Sequence, residues 1–159
     1  MARFTNNREV IKNLCINTGT TANPVWTSLC TTSEIELTTD LEITDFYVFC
    51  DAIQRSLVTG ASLSLDTTVK LDIDNTATEA ILAKIHTLLA SGTVAQFNNE
   101  SIKFDLITGL DEDGVTIEYT TYTVPCTINF SDLGGGAEEE GEFTLEAHIT
   151  GVATEETSA

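Results

Sequence analysis

Residues 62–92, SLSLDTTVKLDIDNTATEAILAKIHTLLASG, contain the change of period that decides the fold. From Ser62 to Ile73 the odd positions Leu63, Leu65, Val69, Leu71 and Ile73 are apolar, and Ser62, Ser64, Asp66, Thr68, Lys70 and Asp72 between them are polar. That is the period of two expected of a strand with one buried face, interrupted only by Thr67. At about 3.3 Å per residue such a strand spans roughly 40 Å, so the sheet containing it must curve or carry a bulge. The period then lengthens. Thr76-Ala77-Thr78-Glu79 has the spacing of a capping box, and Ile81, Leu82, Ile85, Leu88 and Leu89 fall on one arc of a helix ending at Gly92. A helix over residues 76–91 is marginal alone, and its stripe predicts that it lies against the sheet.

Working outward toward the N-terminus, Asp51 to Ala61 reads as a connection with Gly60 as its turn residue. Before it, Phe46, Tyr47, Val48 and Phe49 form an extended apolar run, as in a strand covered on both sides or lying in a subunit contact. Between Glu34 and Thr44, Ile35, Leu37, Leu41 and Ile43 alternate with Glu34, Glu36, Asp40 and Glu42. Four carboxylates thus share one strand face, where like charges in proximity cost stability. A solvated outer face accounts for them, and so does a surface kept acidic for a purpose. Trp26, in the short strand Val25 to Cys30, is expected to be a buried core anchor. Asn17 to Pro24 is a loop, Glu9 to Ile16 a strand, and Met1 to Asn7 an arm without periodicity.

Toward the C-terminus, Val94 to Phe97 and Ser101 to Ile107 read as strands, and Asp113-Gly114 as a hairpin turn. Calcium is not expected there, because the carboxylate spacing does not match a calcium loop. In Val115 to Phe130 the inward phase passes from odd to even positions, predicting a bulge near Thr120 and Thr121, and Pro125 suggests a sheet edge. Gly134 to Gly141 is a flexible acidic loop with no base to hold a phosphate. Glu142 to Gly151 is a final strand with Glu146 and His148 outward, and Val152 to Ala159 a soft tail. The expected organisation is an arm over residues 1–8, a single domain over 9–151 and a tail over 152–159.

The chain has 159 residues and a net charge of −18, from 25 acidic and seven basic side chains. Such a surface repels phosphate and excludes nucleic-acid binding through a basic groove. Cys15, Cys30, Cys50 and Cys126 form no CxxC pair and read as small buried thiols in a reducing compartment. No membrane span or signal-peptide pattern is read, so manufacture and use on the cytoplasmic side are expected. His86 and His148 are the only histidines, and neither lies near a serine or cysteine in a recognisable elbow. The expectation is a protein that is not an enzyme and needs no cofactor or metal.

The order of strands, the segment Phe46-Tyr47-Val48-Phe49-Cys50-Asp51-Ala52-Ile53-Gln54-Arg55-Ser56 with Val58-Thr59-Gly60-Ala61, the capped helix and the acidic loop before a last strand resemble the major tail (tail tube) proteins of long-tailed bacteriophages, in particular the TP901-1 type. The likeness covers most of residues 25–151. It implies a mainly β fold, a β-sandwich or small barrel flanked by one helix, assembling as stacked hexameric rings. It also implies a place in the virion tail after assembly in the host cytoplasm, with tape measure, tail terminator and distal tail proteins as partners. DNA would pass through without specific binding. On that reading Glu34, Glu36, Asp40 and Glu42, then Asp66, Asp72 and Glu118, are candidates for an acidic lumen. Phe46, Tyr47, Val48, Phe49 and Pro125 are candidates for subunit contacts, and Arg3, Phe4, Asn17, Gly19, Glu138, Glu139 and Glu140 for ring-to-ring contacts. The alternatives are a soluble β-sandwich binding or adhesin module and a tube subunit of a contractile injection machine.

Overall fold

A computed structural model describes residues 5–20, 22–29, 32–48, 51–98, 100–134 and 136–157. The fold is mainly β. One helical turn, α1 (Asn7–Val10), leads into β1 (Ile11–Asn17), β2 (Trp26–Ser28), β3 (Thr32–Val48) and β4 (Asp51–Lys70). Helix α2 (Thr76–Ser91) and a 3-10 turn (Ala95–Phe97) follow, then β5 (Glu100–Leu110), β6 (Ile117–Gly134), β7 (Glu142–Ile149) and β8 (Thr154–Thr157). All eight strands join one sheet in the order β2-β1-β5-β6-β7-β4-β3, with β8 added to β6. Every pairing is antiparallel.

The sheet rolls around a single core. Leu65 and Val69 of β4, Phe143, Leu145 and Ala147 of β7, Val124, Cys126 and Ile128 of β6, Ile102 and Phe104 of β5, and Ile11, Leu14 and Ile16 of β1 are all buried and packed together. The roll stops short of closure. Ile11 to Leu14 of β1 and Thr32, Glu34, Ile35 and Glu36 of β3 line one cavity of about 480 Å³. Thr67, the polar interruption in the β4 pattern, is 2% exposed, and its Oγ1 donates to the Glu34 carbonyl at 2.6 Å. A buried hydroxyl with a partner costs little, so the alternation survives it.

Helix α2 buries Ala77, Thr78 and Ile81. Its cap lies one residue earlier than the capping-box spacing predicts: Asn75 Oδ1 accepts from the amides of Ala77 and Thr78 at 2.9 and 3.2 Å. An Asn carbonyl reaches both free amides, which makes Thr76 the first helical residue. At the other end Gly92 adopts φ 69° and its amide donates to the Leu88 carbonyl at 2.8 Å, the left-handed stop expected of glycine. The stripe is only half used, because Leu88 and Leu89 are 37% and 79% exposed.

Several expectations are corrected. Glu9 and Val10 belong to α1, capped reciprocally by Asn6 and Glu9. Asn13 takes φ 55° within a register shift between Lys12 and Cys15; this bulge turns Ile11 inward along with Leu14 and Ile16. Val94 to Phe97 holds a 3-10 turn, tied to α2 by Gln96 Nε2 donating to the Lys84 carbonyl and Lys84 Nζ donating to the Gln96 carbonyl. The expected bulge at Thr120 and Thr121 lies instead in β5 at Thr108, between Ile107 and Gly109. Thr120 is buried on the same even phase as Val124 and Cys126, while Tyr119 lies outside under Lys12 Nζ, 3.8 Å from the ring centre.

Trp26 is half-buried, with Lys103 Nζ 5.8 Å from its ring centre, so it is no core anchor. Residues 154–157 of the expected tail form β8. Cys126 is fully buried, and burial pushes its thiol up to about 12, whereas Cys15 is half-buried. Cys30 and Cys50 lie outside the described residues.

Candidate assembly surface

The stretch Asp51 to Ala61, expected as a connection, is the first half of β4. It pairs with β3 from Val48↔Asp51 through Glu42↔Gly60, with a shift that leaves Thr59 as an extra residue. β3 and β4 therefore make one ribbon of 17 and 20 residues. β7 pairs with β4 only from Ser64 to Lys70, and β3 is the last strand of the sheet. Beyond Ser64 the ribbon leaves the body as an arm with no strand on either edge among the described residues.

Alternation gives the arm two unlike faces. One continues the barrel interior: past Leu65 and Leu37 come Leu41, Ile43 and Val58, which are 53%, 59% and 53% exposed. At its root is an apolar opening of about 390 Å³ lined by Leu37, Leu63, Phe104, Leu106, Tyr122 and Ile149, among others. The other face continues the outer surface of the barrel. It carries Glu34, Glu36, Asp40 and Glu42 of β3, together with Asp66 of β4. At the tip this face becomes apolar and basic, with Leu57 opposite Thr44 and Arg55 opposite Phe46.

The register extends the carboxylates across the sheet. Glu36 pairs with Asp66, Asp66 with Glu146, and Glu146 with Asn129, so three acids stand side by side on three consecutive strands. Glu146 is the site residue that sequence reasoning missed; its outward phase was legible, but its place in this row depends on strand pairing. The Glu36 carboxyl is pushed above its ordinary value by a hydrogen bond shared with Glu34, then by the charge of Glu34, with smaller contributions from desolvation and Asp66. Asp66 Oδ1 is buried without a hydrogen-bond partner among the described residues. At the Glu146 end of the row, Asn129 Nδ2 donates to Glu146 Oε2 at 3.3 Å and His148 Nε2 lies 3.8 Å from Glu146 Oε1.

The remaining candidates fall elsewhere. Asp72 lies past the end of β4, where its Oδ1 accepts from the Asp74 amide, and Glu118 is on β6 opposite Gly109; neither joins the row. Phe46 and Tyr47 are exposed at the arm tip. The side chain of Val48, and Phe49, Arg3 and Phe4 entirely, lie outside the described residues.

Pro125 is not at an edge. It pairs with Ser101 of β5, and its carbonyl accepts from the Thr150 amide, at the place where β6 changes partner from β8 to β7. A strand residue's N–H and C=O point the same way, so proline removes a donor where the partner strand is interrupted.

Asn17 organises its own loop, its Oδ1 accepting from the amides of Gly19 and Val25 at 2.9 and 3.0 Å. A Cβ on Gly19 would meet the Asn23 carbonyl at 2.5 Å. Glu138, Glu139 and Glu140 are exposed, with Glu139 and Glu140 lining a shallow depression beside Lys70. Lys70 itself is held by Glu142 at 2.8 Å.

No protein-family model matches the chain, and no curated protein does. Solved structures share its fold. A chain from the tail of an empty gene transfer agent particle, determined with C6 symmetry, aligns with a TM-score of 0.58 at 14% identity over 98% of this chain and 100% of its own. The SPP1 tail tube aligns with a TM-score of 0.55 at 12% identity over 94% of this chain and 78% of its own. A chain of the sheath-tube complex of an extracellular contractile injection system aligns with a TM-score of 0.53 at 8% identity, covering 92% and 89%. These neighbours are chains of tail, tail-tube and sheath-tube assemblies.

Proposed function

We propose that this chain is the major subunit of a phage tail tube of the long-tailed kind, assembling as stacked, sixfold rings around an acidic channel through which DNA leaves the virion. The observation that carries the reading is the arm: a long ribbon whose outer edges pair with no strand among the described residues, apolar on one face and acidic on the other. Unpaired edges are templates for further strands, and an uncovered apolar face marks an association surface. With copies side by side, the arms extend one another's sheets, the apolar faces pack onto neighbouring bodies, and the carboxylate faces remain in water. Phe46 and Tyr47 then belong to the contacts between copies.

A closed wall presenting Glu34, Glu36, Asp40, Glu42 and Asp66 inward repels a passing phosphate chain, so DNA slides without sticking. Asn17, Gly19 and the Glu138 to Glu140 loop are left for contacts between rings, and the ends of the tube for tape measure, terminator and distal tail proteins. The likeness to a contractile injection tube supports a second reading, the same assembly without DNA cargo.

Electron microscopy of the purified chain at rising concentration tests the assembly. Rings or tubes are expected, and a protein that stays monomeric overturns the proposal. Reversing Glu34, Glu36, Asp40 and Glu42 to Lys in the virus tests the channel: tubes should form and DNA ejection should slow, while normal ejection removes these residues from the lumen.

A further inference from the structure

We infer that the apolar face of one copy's arm seats in the groove between α2 and β6 of the next copy, with Ile43 and Val58 against Leu88, Leu89 and Val94 of that second copy. The inference rests on the tube reading above and names the part of the neighbouring body that covers the arm. The acidic face of the ribbon stays in water, because Ile43 and Val58 stand on the opposite face from Glu34 and Glu36.

Ile85 and Leu88 of α2, Val94 and Phe97 after it, and Phe130 and Leu133 of β6 line a groove of about 530 Å³. Asp132 takes φ 58° where the β6–β7 register shifts between Ser131 and Gly134, and this irregularity carries Leu133 to the rim. Val94 and Leu133 are 59% and 47% exposed. With Leu88 and Leu89 they give α2 an apolar flank that its own sheet does not cover. Ile43 and Val58 form a cross-strand pair on the arm, and β-branched side chains lose little rotamer freedom when such a face is buried.

Charge selects a second copy as the occupant. Two chains of −18 repel each other wherever their acids face. Residues 80–99, which hold the helix side of the groove, and residues 52–65, which hold the β4 half of the arm face, contain no Asp or Glu. Asp132 is the one acid lining the groove, and Asp45, beyond Ile43 on the arm, accepts from Ser56 Oγ.

Within one chain the two surfaces cannot meet. Gly134, next to Leu133, is level with Glu142 and Lys70 through the ladders, and Val58 lies twelve residues from Lys70 along β4. That is roughly 40 Å at about 3.3 Å per residue, in the direction away from the groove. The contact joins unlike surfaces, so repetition gives a ring or a stack and not a closed pair.

Photocrosslinking tests the contact in the full-length chain. A benzophenone amino acid in place of Val58, in assemblies mixed from isotopically heavy and light chains, should link to residues 85–98 or 127–133 of a second copy, read as mixed-isotope peptides by mass spectrometry. Leu89→Glu and, separately, Val94→Glu should each raise the concentration needed for assembly by about tenfold or more, since either buries a carboxylate without a partner in the contact. Melting of each variant's unassembled form should match wild type, because both side chains are largely exposed, and Leu89→Met should assemble as wild type does. Links from the Val58 position to the arm of another copy or to any surface other than the groove overturn the contact while the tube reading stands, as do L89E and V94E chains that assemble like wild type. Absence of any assembly by the wild-type chain overturns both.

Discussion

Glu36 stands directly opposite Asp66 in the β3–β4 ladder, and Asp66 directly opposite Glu146 in the β4–β7 ladder. A sheet stabilised for its own sake would not place like charges in cross-strand pairs. The row costs the isolated subunit stability, and it stands on a continuous face with Asp40 and Glu42, the face that the proposed assembly would turn toward its channel.

The first prediction concerns pH. The carboxyl of Glu36 is raised in the folded state above its ordinary value of 4.5. A carboxyl with a raised folded pKa contributes stability that is present below the unfolded pKa and lost as pH rises through the folded one. The unassembled chain should therefore melt at a higher temperature just below 4.5 than a chain without this shift would, and lose that margin toward neutrality. Glu36→Gln should raise the melting temperature at pH 7 and flatten the profile in that window, as scanning calorimetry across the range will show.

A second prediction separates the observed helix cap from the one the spacing suggests. Asn75→Ala removes the acceptor for two amides and should cost about 1 kcal/mol, whereas Thr76→Ala should cost no more than a few tenths. Urea denaturation of the two variants gives the comparison. Equal losses would return the cap to Thr76.

Thr78 supplies a third. It is fully buried in α2, and its Oγ1 has no hydrogen-bond partner among the described residues. Thr78→Val keeps the shape and removes the uncompensated hydroxyl, so it should stabilise the fold by about 1 kcal/mol. A loss of similar size in the same denaturation experiment would mean that the hydroxyl has a partner.

Fourth, the apolar face of the arm should matter to the assembly and not to the subunit. Ile43 and Val58 face each other across the ribbon and are 59% and 53% exposed. Replacing both with Ser should change subunit stability by about 0.5 kcal/mol or less and should abolish large species in sedimentation velocity.

Much of the fold was legible because local patterns agree with the tertiary structure. The alternation from Leu63 to Val69, the helix from Thr76 and its stop at Gly92 follow directly from side-chain period and backbone freedom. What escaped depends on register or on long-range pairing. Asn13 shifts the phase of β1 through one left-handed residue. Gly60 and its polar neighbours look like a turn, yet they are held extended by the partner strand. Trp26 lies outside the core because β2 is a short edge strand whose outward face carries it. The same limit applied to the acidic surface. Glu34, Glu36, Asp40 and Glu42 announced themselves by alternation, and Asp66 followed from its own strand, but Glu146 enters only through pairing with Asp66. Asp72 and Glu118 have the right charge and are on other surfaces.

The most direct test is a cryo-electron microscopy reconstruction of the polymer formed by the purified chain. The account predicts a hollow tube whose inner wall is built from the β3–β4 arms of neighbouring copies, with the side chains of Glu36, Asp40 and Glu42 projecting into the channel. A tube with those three carboxylates on its exterior, or arms that contact no other copy, would contradict it.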